Sequence, residues 1–251
     1  VQSLDNIIPQ PEWYDRFFRH EYLAFDEHPD TDLEIDFLLN ALQLPGASRL
    51  LDLGCGYGRH AIPLSQNDLK VIGLDRSSEL LTEAVSRLST QDTDISFVRG
   101  DVRHFPFGAT FDAVISMFSS FGYFDDENEN FRVLQNIADA LKVGGLFFLE
   151  TANRDFIIAH NPPVQIYRNE GMTLIEERKF DSLTSQSLVN VTVIQNGKET
   201  HLHHAIRLYT ATEMDLLLAS VGLETRGIWG DFTGGDFTTD SPHLILLAEK
   251  V

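Results

Sequence analysis

The stretch Leu50-Leu51-Asp52-Leu53-Gly54-Cys55-Gly56-Tyr57-Gly58-Arg59-His60 decides how the rest of this 251-residue chain is read. Leucines on both sides of Asp52 predict a buried parallel strand, which shows an apolar run rather than alternation. Glycines at positions 54, 56 and 58 let the backbone turn sharply and approach a ligand with no Cβ in the way. Arg59 to Gln66 is expected to open a helix, with Pro63 confined to its first turn because proline has no N–H for a helix interior. The free N–H groups of that helix start attract electron-rich groups. Strand, glycine turn and helix in this order place a nucleotide-type pocket at the carboxyl end of a parallel sheet.

The nucleotide is not a standard one. The dinucleotide fingerprint G-x-G-x-x-G fails by one position, because Arg59 stands where its third glycine belongs, and a phosphate loop would need a Lys that is absent. Asp52-Leu53-Gly54-Cys55-Gly56-Tyr57-Gly58 instead resembles motif I of the class I S-adenosylmethionine (SAM)-dependent methyltransferases. The resemblance implies an α/β Rossmann-like fold. Its sheet is mostly parallel and seven-stranded, of order 3-2-1-4-5-7-6 with the last strand antiparallel. SAM is the implied cofactor, and S-adenosylhomocysteine (SAH) the product.

Two further strands end on carboxylates. Lys70 to Asp75 places Asp75 about where nucleotide-binding α/β folds set an acid on the ribose diol, and one carboxylate accepts hydrogen bonds from both hydroxyls. Asp75 is not needed as a helix cap, because Ser77 supplies one for the helix that follows. Ile95 to Arg99 runs into Gly100-Asp101-Val102-Arg103, which resembles the family's adenine-contacting motif. The family likeness then assigns cofactor binding to Tyr14, Tyr22, Asp52, Gly54, Cys55, Gly56, Gly58, Asp75, Arg76, Gly100, Asp101, Val102 and Met117.

A fourth strand, Phe111 to Met117, leads into Phe118-Ser119-Ser120-Phe121-Gly122-Tyr123-Phe124, where the family holds the sulfonium and the acceptor. The Asp/Asn-Pro-Pro-aromatic signature of amino-adenine methyltransferases is missing there. Asn161-Pro162-Pro163 is followed by Val164 and lies beyond strand five, so it is discounted. Ring faces in this loop can stabilise a methyl-bearing cation. Phe118 and Phe121 are therefore expected in the acceptor pocket, together with Asn153 and Arg168. Tyr123, His203, His204 and His243 are the candidate bases for an acceptor that must lose a proton. His201-Leu202-His203-His204 lacks the cysteines or carboxylates of a metal site, so no metal is expected.

Around this body, an aromatic segment from Pro11 to Tyr22 predicts a helix, and Asp32 to Leu42 a second one. Residues 1–45 are read as an amino-terminal helical lid, in which Tyr14 and Tyr22 reach the cofactor or acceptor. Asp126 to Leu141 is amphipathic and stops at Gly144-Gly145 before strand five, Leu146 to Glu150. Between 151 and 209 the pattern turns β-like, with strands at 173–180, 187–194 and 200–209 and a hairpin turn at Asn196-Gly197. This antiparallel insertion is expected to cover the acceptor site or form a subunit contact in a homo-oligomer. A helix, 212–220, and two strands, 224–229 and 244–251, close the SAM-binding part, which comprises 46–150 and 210–251.

Bulk composition narrows the partners. Against 19 Lys and Arg stand 38 Asp and Glu, a net charge of −19 that repels phosphate backbones and anionic membranes. Nucleic acid is thus a poor substrate, and a small-molecule acceptor the expected one. The single cysteine, Cys55, rules out an intrachain disulfide. No apolar run is long enough for a spanning helix and no leader pattern stands at the amino terminus, so the expected location is the cytoplasm. The reaction is in-line methyl transfer to nitrogen or oxygen, accelerated mainly by alignment in a dry pocket. Methylation of a protein side chain or terminus, or a silent SAM-binding module, are the alternatives.

Overall fold

The computed structural model describes residues 12–19, 21–26, 28–88, 93–169 and 171–251. In chain order the elements begin with α1 (Tyr14–Phe17), a 3-10 turn (Tyr22–Ala24), α2 (Thr31–Leu42), β1 (Arg49–Leu53), α3 (Ala61–Ser65), β2 (Lys70–Asp75), α4 (Ser78–Arg87), β3 (Ile95–Arg99), β4 (Phe111–Ser116) and α5 (Glu127–Ala140). They continue with β5 (Leu141–Ala152), α6 (Arg154–His160), β6 (Val164–Asn169), β7 (Met172–Asp181), β8 (Gln186–Gln195), β9 (Lys198–Arg207), α7 (Ala211–Ser220), β10 (Leu223–Trp229) and β11 (His243–Lys250).

Seven strands form one sheet in the order β10-β11-β5-β4-β1-β2-β3. The first five strands pair in parallel, and β11 slots between β5 and β10, antiparallel to both. This is the doubly wound order with an antiparallel last strand that the family resemblance implied. Alternating side chains reach opposite faces of the sheet. Val114 and Phe147 therefore join Leu134, Ile137 and Leu218 of α5 and α7, while Ile115 and Phe148 join Leu38 and Leu64 of α2 and α3. All nine are essentially inaccessible to solvent, which fixes the parallel strands and hence the line of their carboxyl ends.

A second, four-stranded antiparallel sheet, β6-β7-β8-β9, is inserted after β5. Its β8–β9 hairpin turns on Asn196 and Gly197, both at positive φ, as the two-residue turn requires. The edge strand β6 and the helix α6 were not anticipated. The sheet is tied to the loop after β4 where Arg207 N–H donates to Gly122 O at 2.8 Å.

Three local expectations need correction. The aromatic helix expected from Pro11 to Tyr22 is only the four-residue α1 followed by a 3-10 turn (Pro11 and His20 lie outside the described residues). The rings there pack in several directions, so no single helical face is available. The helix after the glycines starts at Ala61, with Pro63 as its third residue and so within the first turn. Strand five begins at Leu141, and the Gly144-Gly145 pair is absorbed as an irregularity, the register stepping from Phe111↔Leu141 to Ala113↔Leu146. Among the described residues no helix is long and apolar enough to cross a membrane.

Candidate active site

The carboxyl ends of β1 to β4 open into a cavity of about 640 Å³. The loop after β1 lies along its floor because Gly54, Gly56 and Gly58 take φ of 73°, 54° and 81°, which glycine adopts without strain. Gly54 and Cys55 N–H both donate to Leu74 O, at 2.8 and 3.1 Å, pinning the loop to β2. A Cβ on Gly54 would stand 2.8 Å from Ser120, on the facing loop. Gly58 does not line the cavity. Its glycine admits Ile62 and Phe97, which a Cβ would meet at 2.9 Å.

Three carboxylates face this space in different states. Asp52 is buried, and its Oδ2 has no hydrogen-bond partner. Burial, with the charge of Asp75 added, pushes its carboxyl up to about 7. Asp75 accepts Gly56 N–H at 2.8 Å on one oxygen and Ser77 N–H at 2.7 Å on the other. It is pushed up by burial, although these N–H groups oppose the shift. Asp101 is the contrary case: against the cost of burial, Arg103 and Arg76 hold it down at about 2. Arg103 Nη2 lies 2.7 Å from it, and Arg76 Nη1 2.6 Å.

The amino-terminal segment crosses the mouth. Trp13 packs on Tyr123 with ring centroids 4.9 Å apart, and Tyr14 stacks on the same ring at 6.4 Å and 16°. Phe18 O accepts the Ser77 hydroxyl at 2.7 Å, so the segment is also fastened to the start of α4. Tyr22 and Tyr57 hydroxyls both reach the Asp26 carboxylate, and His28 Nε2 lies 2.6 Å from Asp26 Oδ1.

In the loop after β4, Phe118 and Ser119 sit in the left-handed region, with φ of 54° and 56°. Such residues persist only where their surroundings hold them. Here Phe118 N–H donates to Glu150 Oε2 at 2.6 Å, and the Ser119 hydroxyl accepts Ala152 N–H at 2.9 Å. The Phe118 ring is thereby turned toward His28, at 4.4 Å, and toward Arg59, at 5.2 Å.

Of the residues singled out from sequence, the cavity walls bring together Tyr14, Tyr22, Asp52, Gly54, Cys55, Gly56, Asp75, Arg76, Gly100, Asp101, Val102, Met117, Phe118 and Tyr123. The others lie elsewhere, for identifiable reasons. Phe121 is turned into the core against Tyr209, 5.4 Å away. Asn153 caps α6 and donates to Thr238 O and Ser241 O, a structural task. Arg168 is exposed on the edge strand β6. His203 is held on β9 by Asn190, and its neighbour His204 is buried against Phe17 and Trp13. Burial pushes His204 down to about 3, so it is neutral near pH 7. His243 lies behind the Phe118 loop, 2.8 Å from Glu150. Tyr123 lines the cavity, but burial raises its phenol far above neutrality, so it keeps its proton.

The walls also hold Asp15, Phe18, Asp26, His28, Tyr57, Arg59, His60 and Glu79. Asp26 and His28 fall in a stretch without periodicity, and nothing local marked them. Tyr57 lies inside the glycine motif, and its ring position was the signal available there. Among the described residues no group of three or more His, Cys, Asp or Glu is placed to hold a metal ion.

The donor set fits SAM. The unpartnered, fully buried Asp52 Oδ2 suits a cationic amino-acid end, the pinned Asp75 a diol, and the cradle at Gly54 leaves no room for a side chain where a ligand backbone would lie. A family model for a methyltransferase domain matches residues 50–145. The chain is 25% identical to the cypemycin N-terminal methyltransferase of a Streptomyces species, over 89% of this chain and 97% of that one. In fold it is similar to the CcbJ methyltransferase of Streptomyces caelestis, with a TM-score of 0.82, 19% identity, and coverage of 95% and 98% of the two chains. It is also 30% identical to the dTDP-3-amino-3,4,6-trideoxy-alpha-D-glucopyranose N,N-dimethyltransferase of Streptomyces venezuelae, over 76% of this chain and 81% of that enzyme. At that identity and coverage, on a sheet of this order, the chain belongs to the class I SAM-dependent methyltransferases.

Proposed function

We propose that this methyltransferase acts on the nitrogen of a small amine-bearing acceptor, bound between Phe118 and the amino-terminal segment. The observation that carries the reading is the chemistry of that end of the cavity. It offers a carboxylate, Asp26, and an aromatic face, Phe118, while the nearby cation Arg59 is already paired with Glu34. A carboxylate and a ring face both favour a cation over an anion. Of the relatives matched by sequence, one is named as an N-terminal methyltransferase and another as an N,N-dimethyltransferase of a 3-amino sugar nucleotide.

Bound SAM supplies an electrophilic methyl group on a positive sulfur. In this reading Asp52 accepts from the amino group of its methionine end, and Asp75 from the ribose hydroxyls. Asp101 and the Val102 N–H hold the base. The segment from Trp13 to Phe18 serves as the lid, and its rings exclude water from the reacting end, where alignment of lone pair and methyl group lowers the barrier. Tyr123 positions the lid rather than moving a proton.

The test is methyl transfer from labelled SAM to a matched panel: an aminosugar nucleotide, its hydroxyl analogue, free glycine and a short peptide. Label on a small amine and not on the hydroxyl analogue is the expected result. Label confined to the hydroxyl analogue, or to macromolecules in an extract, overturns it.

A further inference from the structure

We propose that His28 is the catalytic base that takes the proton of the acceptor amine, with Asp26 as its positioning residue; this rests on the amine reading above. His28 stands on the connection between the 3-10 turn and α2, and lines the cavity beside Phe118. Its Nε2 lies 2.6 Å from Asp26 Oδ1. Asp26 in turn receives the hydroxyls of Tyr22 and Tyr57, so three donors converge on one carboxylate. Despite the cost of burial, these bonds keep Asp26 below the usual carboxylate range, and it is ionised near neutrality.

That convergence settles the tautomer. An ionised carboxylate only accepts, so in the neutral ring the short contact requires the proton on His28 Nε2 and leaves the Nδ1 lone pair free. Among the described residues Nδ1 has no hydrogen-bond partner. The ring is fixed by its edge-on packing at 77° against Phe118, and its backbone by the Thr31 hydroxyl, which donates to His28 O at 3.0 Å. The charged and titratable groups around it are Asp26, Tyr22, Tyr57, Arg59 and the Glu34–His60 pair.

His60 is the rival imidazole in the cavity and is less suited. Its Nε2 also meets a carboxylate, Glu34, at 2.6 Å, but Arg59 shares that carboxylate. Burial and Arg59 both disfavour the imidazolium there. Among the described residues no Arg or Lys pairs with Asp26, so the charge that forms on His28 is balanced by a carboxylate committed to it.

The step balances as follows. The acceptor enters as an ammonium ion, and one N–H proton passes to His28 Nδ1, giving an imidazolium opposite Asp26. The freed nitrogen lone pair forms the N–C bond while the C–S bond breaks and its electron pair returns to sulfur. The product leaves as a methylammonium ion, and His28 returns its proton to water.

His28→Gln tests this, because the Gln amide can still donate to Asp26 but offers no base. The expected result is a loss of about 100-fold in kcat/KM at pH 7, the usual size of a general-base contribution. The loss should shrink as pH rises through the ionisation of the acceptor amine, which then needs no base, and SAH binding should be unchanged. Independently, ¹⁵N-histidine NMR of the SAH-bound wild type should show His28 protonated on Nε2 and bare on Nδ1. A loss below about threefold at every pH, or an Nδ1–H tautomer, overturns the proposal. If the wild type methylates a hydroxyl acceptor instead, and His28→Gln loses activity without rescue at high pH, the amine reading falls and the base stands.

Discussion

Arg76 grips Asp15 with two arms of its guanidinium, Nε 2.6 Å from Oδ1 and Nη2 2.9 Å from Oδ2. Its remaining arm reaches Asp101. One side chain at the end of β2 therefore couples the amino-terminal segment to the Asp101 end of the cavity. Both partners are more than one-third exposed, so solvent screens the pair and its contribution is modest. Arg76→Lys, which cannot make the two-armed contact, is expected to raise the Kd of SAM about two- to fivefold. The change should appear mainly as faster release of SAH in stopped-flow fluorescence. An unchanged release rate would show that the aromatic packing and the Phe18–Ser77 hydrogen bond hold the amino-terminal segment without Arg76.

Asp52 predicts a proton linked to cofactor binding. In the folded protein its carboxyl ionises at about 7, against 3.8 for the free side chain. The unfolded chain therefore loses that proton first, and Asp52's contribution to the stability of the ligand-free protein should decline as pH rises from 4 to 7. A cation beside Asp52 favours the ionised form. SAM affinity should accordingly climb with pH up to about 7, with proton release below it. Calorimetry at pH 6 in buffers of different ionisation enthalpy measures the release, and Asp52→Asn should abolish it.

Glu150 and His243 predict a second pH dependence, of opposite origin. Burial alone would lower the imidazole, but Glu150 outweighs it and His243 is raised. A raised histidine stabilises fully below its unfolded value, near 6.5, and the contribution fades as pH rises through the folded value. The stability gap between wild type and His243→Gln in urea should thus be wider at pH 6 than at pH 9. A gap of constant size would mean that only a neutral hydrogen bond is lost.

Gly122 should tolerate no side chain. It has φ of 88°, and an added Cβ would meet Arg207 O at 2.2 Å, a backbone atom of β9. Gly144, at φ of 79°, has nothing within 4 Å of that position. Gly144→Ala is expected to cost about 1 kcal/mol, the conformational strain alone. Gly122→Ala should exceed it by about 2 kcal/mol or more, because the insertion sheet must retreat from the loop. Equal losses by urea denaturation would show that the sheet moves freely there.

The glycine loop and the acids of β1, β2 and β3 were legible because each answers a local demand: φ above zero, a strand end, a carboxylate where a strand stops. The residues at the Phe118 side of the cavity were not. Whether Phe118 or Phe121 faces the cavity is decided by the left-handed turn at 118–119, and that turn is held by Glu150 from another strand. His203 and His204 are neighbours on β9 and so point to opposite faces, and the inward one meets rings of the lid, not a cavity. Asn153 was open to a better reading, since Asn two residues before Asp155 is an ordinary cap, its side chain accepting Asp155 N–H at 3.1 Å. Asp26 and His28 acquire meaning only when Tyr57, from the glycine loop, closes on them.

Trp13, Phe17 and Tyr22 share one apolar cluster with Leu174, Leu188, Val189, Val191 and Ala205 of the inserted sheet. The amino-terminal segment therefore rests on a floor built from a later part of the chain, outside the seven-stranded sheet. A relative's amino-terminal rings, moved in alone, would meet a floor moulded to others, so the two distant stretches that share this cluster constrain each other's side chains and have to change together.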